Sequence, residues 1–162
     1  MSRTIIITAL VCGTLGFIAG NAFWYLASPL FFDEVVSEQA PAAGQARTLR
    51  TGQFKDADAV HKGSGTATLL RTNDGSHVVR FTDFRSTNGP DLKVYLVEAA
   101  TITKSSDVTA SRWISLGRLK GNVGDQNYTL PTSADPAAYK SVVIWCEQFG
   151  VLFSSAPLAP GG

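Results

Sequence analysis

The chain has 162 residues, a formal charge of +1 and 44% apolar side chains, which suits one compact domain with accessory segments. Its charge is unevenly placed: residues 4–32 carry none, and residues 33–162 are formally neutral, with thirteen acids against thirteen bases. This balance, without any run of Lys or Arg, excludes the basic face of a nucleic-acid binder and a polybasic membrane patch.

Residues 1–32 read as a membrane element. The uncharged stretch from Thr4 to Phe32 is long enough to cross a hydrocarbon core of ~30 Å at ~1.5 Å per helical residue. Phe23-Trp24-Tyr25 and Phe31-Phe32 suit a bilayer interface. Arg3 before the stretch and Asp33-Glu34 after it favour a cytoplasmic N-terminus with the C-terminal domain outside the cytoplasm, a single-pass signal-anchor. A cleaved signal peptide, cut after Ala27 or Ser28, is the competing reading. Bulky Tyr25 at the small-residue position and the length of the apolar run weigh against it. Cys12 lacks the small preceding residue that lipoprotein processing needs, because Val11 stands there.

Residues 33–50 (DEVVSEQAPAAGQARTLR) show little periodicity and read as a flexible linker, with a short helix expected from Asp33 to Gln39. From residue 51 to 162 short strand signals alternate with turn signals. Thr66–Arg71 is one run, and Asn73-Asp74-Gly75 marks a hairpin. His77–Phe84 alternates so as to place His77, Val79, Phe81 and Asp83 on one face. Leu92–Val97, Trp113–Leu116 and Asn127–Leu130 follow, and Ala134–Tyr139 reads as a loop or one helical turn. Pro157 and Pro160 are expected to end the fold. The pattern predicts an all-β antiparallel sandwich or barrel-like domain behind one transmembrane helix.

The last apolar stretch, Ser141–Phe153 (SVVIWCEQFGVLF), is the most informative. Val142-Val143-Ile144-Trp145 is apolar at both parities, as in a strand buried on both faces, and it ends on Cys146. Cys12 and Cys146 are the only cysteines, and a bilayer between them would prevent their pairing within one chain. A thiol left over in an extracytoplasmic domain is a free nucleophile, an intermolecular bridge or a ligand.

Several segments together resemble the electron-transfer DM-thirteen domain family, known from Skeletor-type proteins and small membrane-anchored bacterial proteins. They are His61-Lys62-Gly63-Ser64-Gly65-Thr66-Ala67, Phe81-Thr82-Asp83-Phe84, Gly89-Pro90-Asp91-Leu92-Lys93-Val94-Tyr95-Leu96, the run from Gly117 to Tyr128, and Val142 to Phe149. The resemblance covers roughly residues 50–159. It implies redox or electron-transfer chemistry with a protein redox partner, centred on Cys146 as a bare thiol or cofactor ligand.

On the residues alone, Cys146 has a rival reading as a small buried hydrophobe. Activating it as a thiolate needs a neighbouring cation, a helix N-terminus or a metal. His61 and His77 are the remaining soft donors, and His61 lies within a matched segment. Haem or a metal held through Cys146, with His61 as a second cofactor ligand, is chemically acceptable, although no C-x-x-C-H motif or copper-site spacing is present. His77 beside the Asp-Gly turn reads as ordinary, and Asp83, Asp91 and Asp125 read as structural. Trp145 and Tyr95 read as core. Two functions remain open: a redox module centred on Cys146, or a non-catalytic extracytoplasmic interaction module.

Overall fold

The computed structural model describes residues 2–27, 32–42 and 44–161. Helix α1, Arg3–Ala27, contains the one stretch among the described residues that is long and apolar enough to cross a membrane. Two polar side chains in its middle and second half bond within the helix: Thr14 Oγ1 donates to the Leu10 carbonyl and Asn21 Nδ2 to that of Phe17. In hydrocarbon, where water offers no partner, that arrangement removes the main cost of polar residues. Ser28 and Phe31, invoked for cleavage and for the interface, lie outside the described residues.

The rest is two stacked sheets. The larger runs β1 (Val35–Ser37), β8 (Val123–Thr129), β5 (His77–Ser86), β4 (Gly63–Thr72), β2 (Ala46–Gln53) and β11 (Ala159–Pro160). The smaller runs β3 (Lys55–Asp56), β10 (Val151–Pro157), β9 (Ser141–Cys146), β6 (Leu92–Val97) and β7 (Trp113–Arg118). Every pairing is antiparallel except β1 with β8. The expected all-β sandwich behind an apolar helix is therefore the fold found.

Between the sheets, Ala67, Leu69, Val79 and Phe81 meet Val94, Leu96, Val142 and Ile144 in the main core. A second, smaller core lies on the outer face of the smaller sheet. There Tyr95, Val97, Val143 and Trp145 are covered by Ile102 and by Val108 of the short helix α2, Ser105–Thr109. This explains why β9 is apolar at both parities: each of its faces is buried against a different layer.

The segment expected as a linker contributes strands. No helix forms at Asp33–Gln39; Val35–Ser37 pairs with Val123–Asp125 instead. Its anchors are polar and distant in sequence: Glu38 accepts from Lys120 Nζ at 2.7 Å and from the Asn127 amide at 2.7 Å. The first half of β2 also lies within residues 33–50. Pro160 does not end the structure, because Ala159–Pro160 pairs with Thr51 and Arg50 at the sheet edge, where a missing N–H is tolerated.

The alternation expected through β5 breaks after Phe81. Asp83 adopts a positive φ of 51° and is exposed, while Phe84 turns into the core. The register shifts on both sides at this point, which marks a bulge. Asp125 supports the turn by accepting the Asp83 amide at 3.0 Å.

Candidate functional site

In β9 alternate side chains enter different layers. Cys146, opposite Leu92 of β6 and Val151 of β10, faces the main core with Val142 and Ile144. It is fully buried and unbonded to Cys12; both cysteines are free. Among the described residues no hydrogen bond or ion pair reaches its thiol.

His61 lies at the same end of the sandwich but is engaged elsewhere. Its Nδ1 pairs with Asp58 Oδ2 at 2.7 Å, and its ring tilts over Phe153 with centroids 4.4 Å apart. His77 opens β5 at the opposite end. The structure thus does not join Cys146 and His61 in a bonded pair. Among the described residues no three His, Cys, Asp or Glu side chains group closely enough to hold a metal ion. The surroundings of Cys146 do not fit haem or a metal: its walls are apolar, and it lines neither cleft at this end of the fold. Two of the aspartates that read as structural are engaged by protein partners through their carboxylates. Asp125 pairs with Arg80 and caps Asp83, while Asp91 pairs with Lys93.

A polar and aromatic cluster lies on the other face of the same strands. Tyr95, almost wholly buried, stacks on Trp113 at 4.3 Å with the rings 9° from parallel. Trp113 is 45% exposed, so this pair connects the interior to solvent. Trp145 lies on the other side of Tyr95 at 6.4 Å. The Tyr95 hydroxyl donates to Glu147 Oε1 at 2.8 Å. Glu147 Oε2 and Asp91 Oδ1 both engage Lys93 Nζ, at 3.3 and 3.2 Å.

Strand register builds the cluster. Lys93 stands opposite Trp145, Tyr95 opposite Val143, and Trp113 opposite Val97, so these residues share the outer face. Glu147 follows Cys146 immediately, where β9 gives way to a turn held by its amide on the Asp91 carbonyl. Burial, with the Glu147 carboxylate beside it, pushes the Tyr95 phenol far above its usual range. The hydrogen bond to Asp91, and after it that to Glu147, raises Lys93. The site therefore rests as a neutral phenol donating to a carboxylate, which a lysine holds in place.

The Electron transfer DM13 family model matches residues 53–158. The chain belongs to the DM13 family. No curated protein and no solved structure is significantly similar to it. The match spans both sheets from the end of β2 through β10, including Cys146 and the whole Tyr95 cluster; β1 and α1 lie before it. Sequence reading assigned Tyr95 and Trp145 to the core and did not single out Glu147, Lys93 or Trp113. The available signal was the shared outward parity of Lys93, Tyr95 and Trp145. Continuous apolar character at both parities masked it.

Proposed function

We propose that this protein is a membrane-tethered, extracytoplasmic electron-transfer domain whose redox-active side chain is Tyr95, with Trp113 as the surface contact. The DM13 match supports a redox role. The observation that carries the assignment to Tyr95 is its hydrogen bond to Glu147 beneath the half-exposed Trp113 ring.

The chemistry follows from that pairing. A neutral phenol is hard to oxidise while it keeps its proton, and a phenol that has lost an electron is a strong acid. In this site, loss of one electron from Tyr95 is accompanied by movement of the hydroxyl proton to Glu147. The products are a neutral tyrosyl radical and a neutral carboxyl group. The electron passes through Trp113 to a strong one-electron oxidant, such as a ferryl haem or a peroxyl radical. A one-electron donor later restores the phenol as the proton returns from Glu147. Lys93 holds the carboxylate in the accepting geometry. Cys146 lies behind this site on the opposite face of β9, and its enclosure gives it a packing role, since its own proton has no acceptor.

The extracytoplasmic placement rests on Arg3 before α1 and Asp33-Glu34 after it, and the tether on the length and apolarity of α1. The test is titration of the purified full chain in detergent with a one-electron oxidant, alongside its absorption spectrum and metal content. A colourless, metal-free protein that reduces the oxidant, and loses this capacity with Tyr95→Phe, fits the proposal. A chain that reduces nothing, or does so equally well with Tyr95→Phe, would refute it and favour a binding module.

A further inference from the structure

The end of the sandwich that carries Cys146 and Glu147 is also the end at which the chain arrives from α1. The Phe32 carbonyl accepts from Asn88 Nδ2 at 3.1 Å, the Glu34 amide donates to Asn122 Oδ1 at 2.7 Å, and Asn122 Nδ2 donates to Asp33 Oδ1 at 2.6 Å. Residues 57–62, 87–91, 119–122 and 147–150 form the loops of this end. They interlock through the Thr87 amide on the Lys62 carbonyl and the Glu147 amide on the Asp91 carbonyl. Only residues 28–31 separate α1 from Phe32, a covalent reach of at most ~18 Å from Ala27 to Phe32. The contact is closer still on the side chains: the Phe32 ring meets that of Trp24, in the last turns of α1, edge-on at 5.8 Å.

The exposed large apolar residues follow the same polarity. Outside α1, those among the described residues are Phe32, Val35, Val60, Trp113 and Phe149. Trp113 belongs to the redox site. The other four all lie at the arrival end: Val60 and Phe149 in its loops, and Phe32 and Val35 where the chain enters. At the far end the turn at residues 73–76 and the loop at 130–140 expose none, and Trp113, opposite Val97, is the one such residue on that side among the described residues.

We infer that this end of the domain docks on the bilayer that α1 crosses, with Val60 and Phe149 entering the headgroup boundary beside Phe32. The inference rests on the membrane-tether reading above. Phe23, Trp24 and Tyr25 mark the interfacial depth of the helix, and Phe32 in contact with Trp24 brings the adjoining loops to that depth. The occupant is the lipid interface itself, because the covalent connection places it there and leaves little room for an interposed protein. Charge does not drive the contact. Lys62 and Arg85 at this end are matched by Asp56 and Asp33, so docking depends on apolar insertion and the tether and does not require anionic lipid. Docking also turns Glu147 towards the membrane, so that a redox partner moving in the plane of the bilayer meets the Tyr95 site from the side.

The test uses the full chain with Cys12→Ser, reconstituted in phosphatidylcholine vesicles. Single cysteines at Val60→Cys, Phe149→Cys, Ser133→Cys and Ile18→Cys carry an environment-sensitive fluorophore. Buried Cys146 stays unlabelled in the folded protein. Spin-labelled lipids with the quencher at shallow or deep positions report depth. Docking predicts about two-fold or greater shallow quenching at 60 and 149, none at 133 in the far loop, and deep quenching at 18. Deep quenching at 18 with none at 60 and 149 would overturn docking and leave the tether intact. Absence of deep quenching at 18 would overturn the tether and docking together.

Discussion

Replacing Cys146 by serine and by alanine separates a packing thiol from a reactive one. The side chain is wholly buried in the main core, opposite Leu92 and Val151, with no polar partner. Alanine removes one sulfur atom and leaves a small void, which costs about 1 kcal/mol, as for loss of a single buried methyl group. Serine nearly fills the space but introduces a hydroxyl that nothing can satisfy, at about 1–3 kcal/mol on top of the lost apolar contact. The expected order of stability is therefore Cys, then Ala, then Ser, with serine about 2 kcal/mol or more below the native protein. With a urea m-value of about 2 kcal/mol/M, that moves the midpoint down by about 1 M. Urea unfolding of the full chain in detergent, followed by tryptophan fluorescence, reads it directly. A serine variant as stable as the native protein, or more stable than the alanine variant, would refute this account. It would mean that the thiol meets water or a polar partner, as a reactive or ligating cysteine would.

Three further outcomes follow from the geometry. Asp125→Ala should cost about 3 kcal/mol in the same assay, because it leaves the buried Arg80 guanidinium without its charge partner and frees the Asp83 amide at the bulge. A loss below about 1 kcal/mol would show the pair to behave as an exposed one. Gly124→Ala should detach β1 from β8, since Gly124 has a φ of +99° and an added Cβ would stand 2.1 Å from the Val36 carbonyl oxygen. Amide exchange at residues 35–38 should then accelerate while the other strands stay protected. Unchanged exchange would show that β1 does not depend on this approach. The hydrogen bond from His61, helped by the amides of His61 and Val60, holds the Asp58 carboxyl down to about 2. A folded value below the ordinary one means that this loop is fully stabilised above about 3.8 and loses that support as pH falls towards 2. NMR titration of the Val60 and His61 amides should show a midpoint near the lower value, and a midpoint near the ordinary one would contradict the bonding.

Much of the fold was legible because strand signals are local. Leu92–Val97 and Ser141–Cys146 read as strands through their branched and aromatic residues, and the Asp-Gly turn fixed the hairpin between β4 and β5. What escaped was set by distant partners. Val35–Ser37 is too short to show periodicity, and its strand exists because Asn122, Lys120 and Asn127 hold the neighbouring residues. The bulge at Asp83 likewise depends on Asp125, 42 positions away in sequence. Alternation alone would place Asp83 in the core and Phe84 outside.

The candidate site was legible in one residue and hidden in the rest. Cys146 stood out by being the single cysteine after α1, and the structure locates it behind the chemically equipped surface, facing the core. The neighbour that followed it, Glu147, carries the polar contact to Tyr95. The parity of residues 93 and 95 puts them on one face, but the convergence of 91, 113 and 147 on them is produced by the pairing of β6 with both β7 and β9.

The most direct measurement is electron paramagnetic resonance of the full chain, frozen after one-electron oxidation, with Tyr95→Phe and Cys146→Ala beside it. The account predicts a neutral tyrosyl signal in the native protein and in Cys146→Ala, and its loss in Tyr95→Phe. A signal that survives Tyr95→Phe and disappears in Cys146→Ala would contradict it and return the redox centre to the thiol.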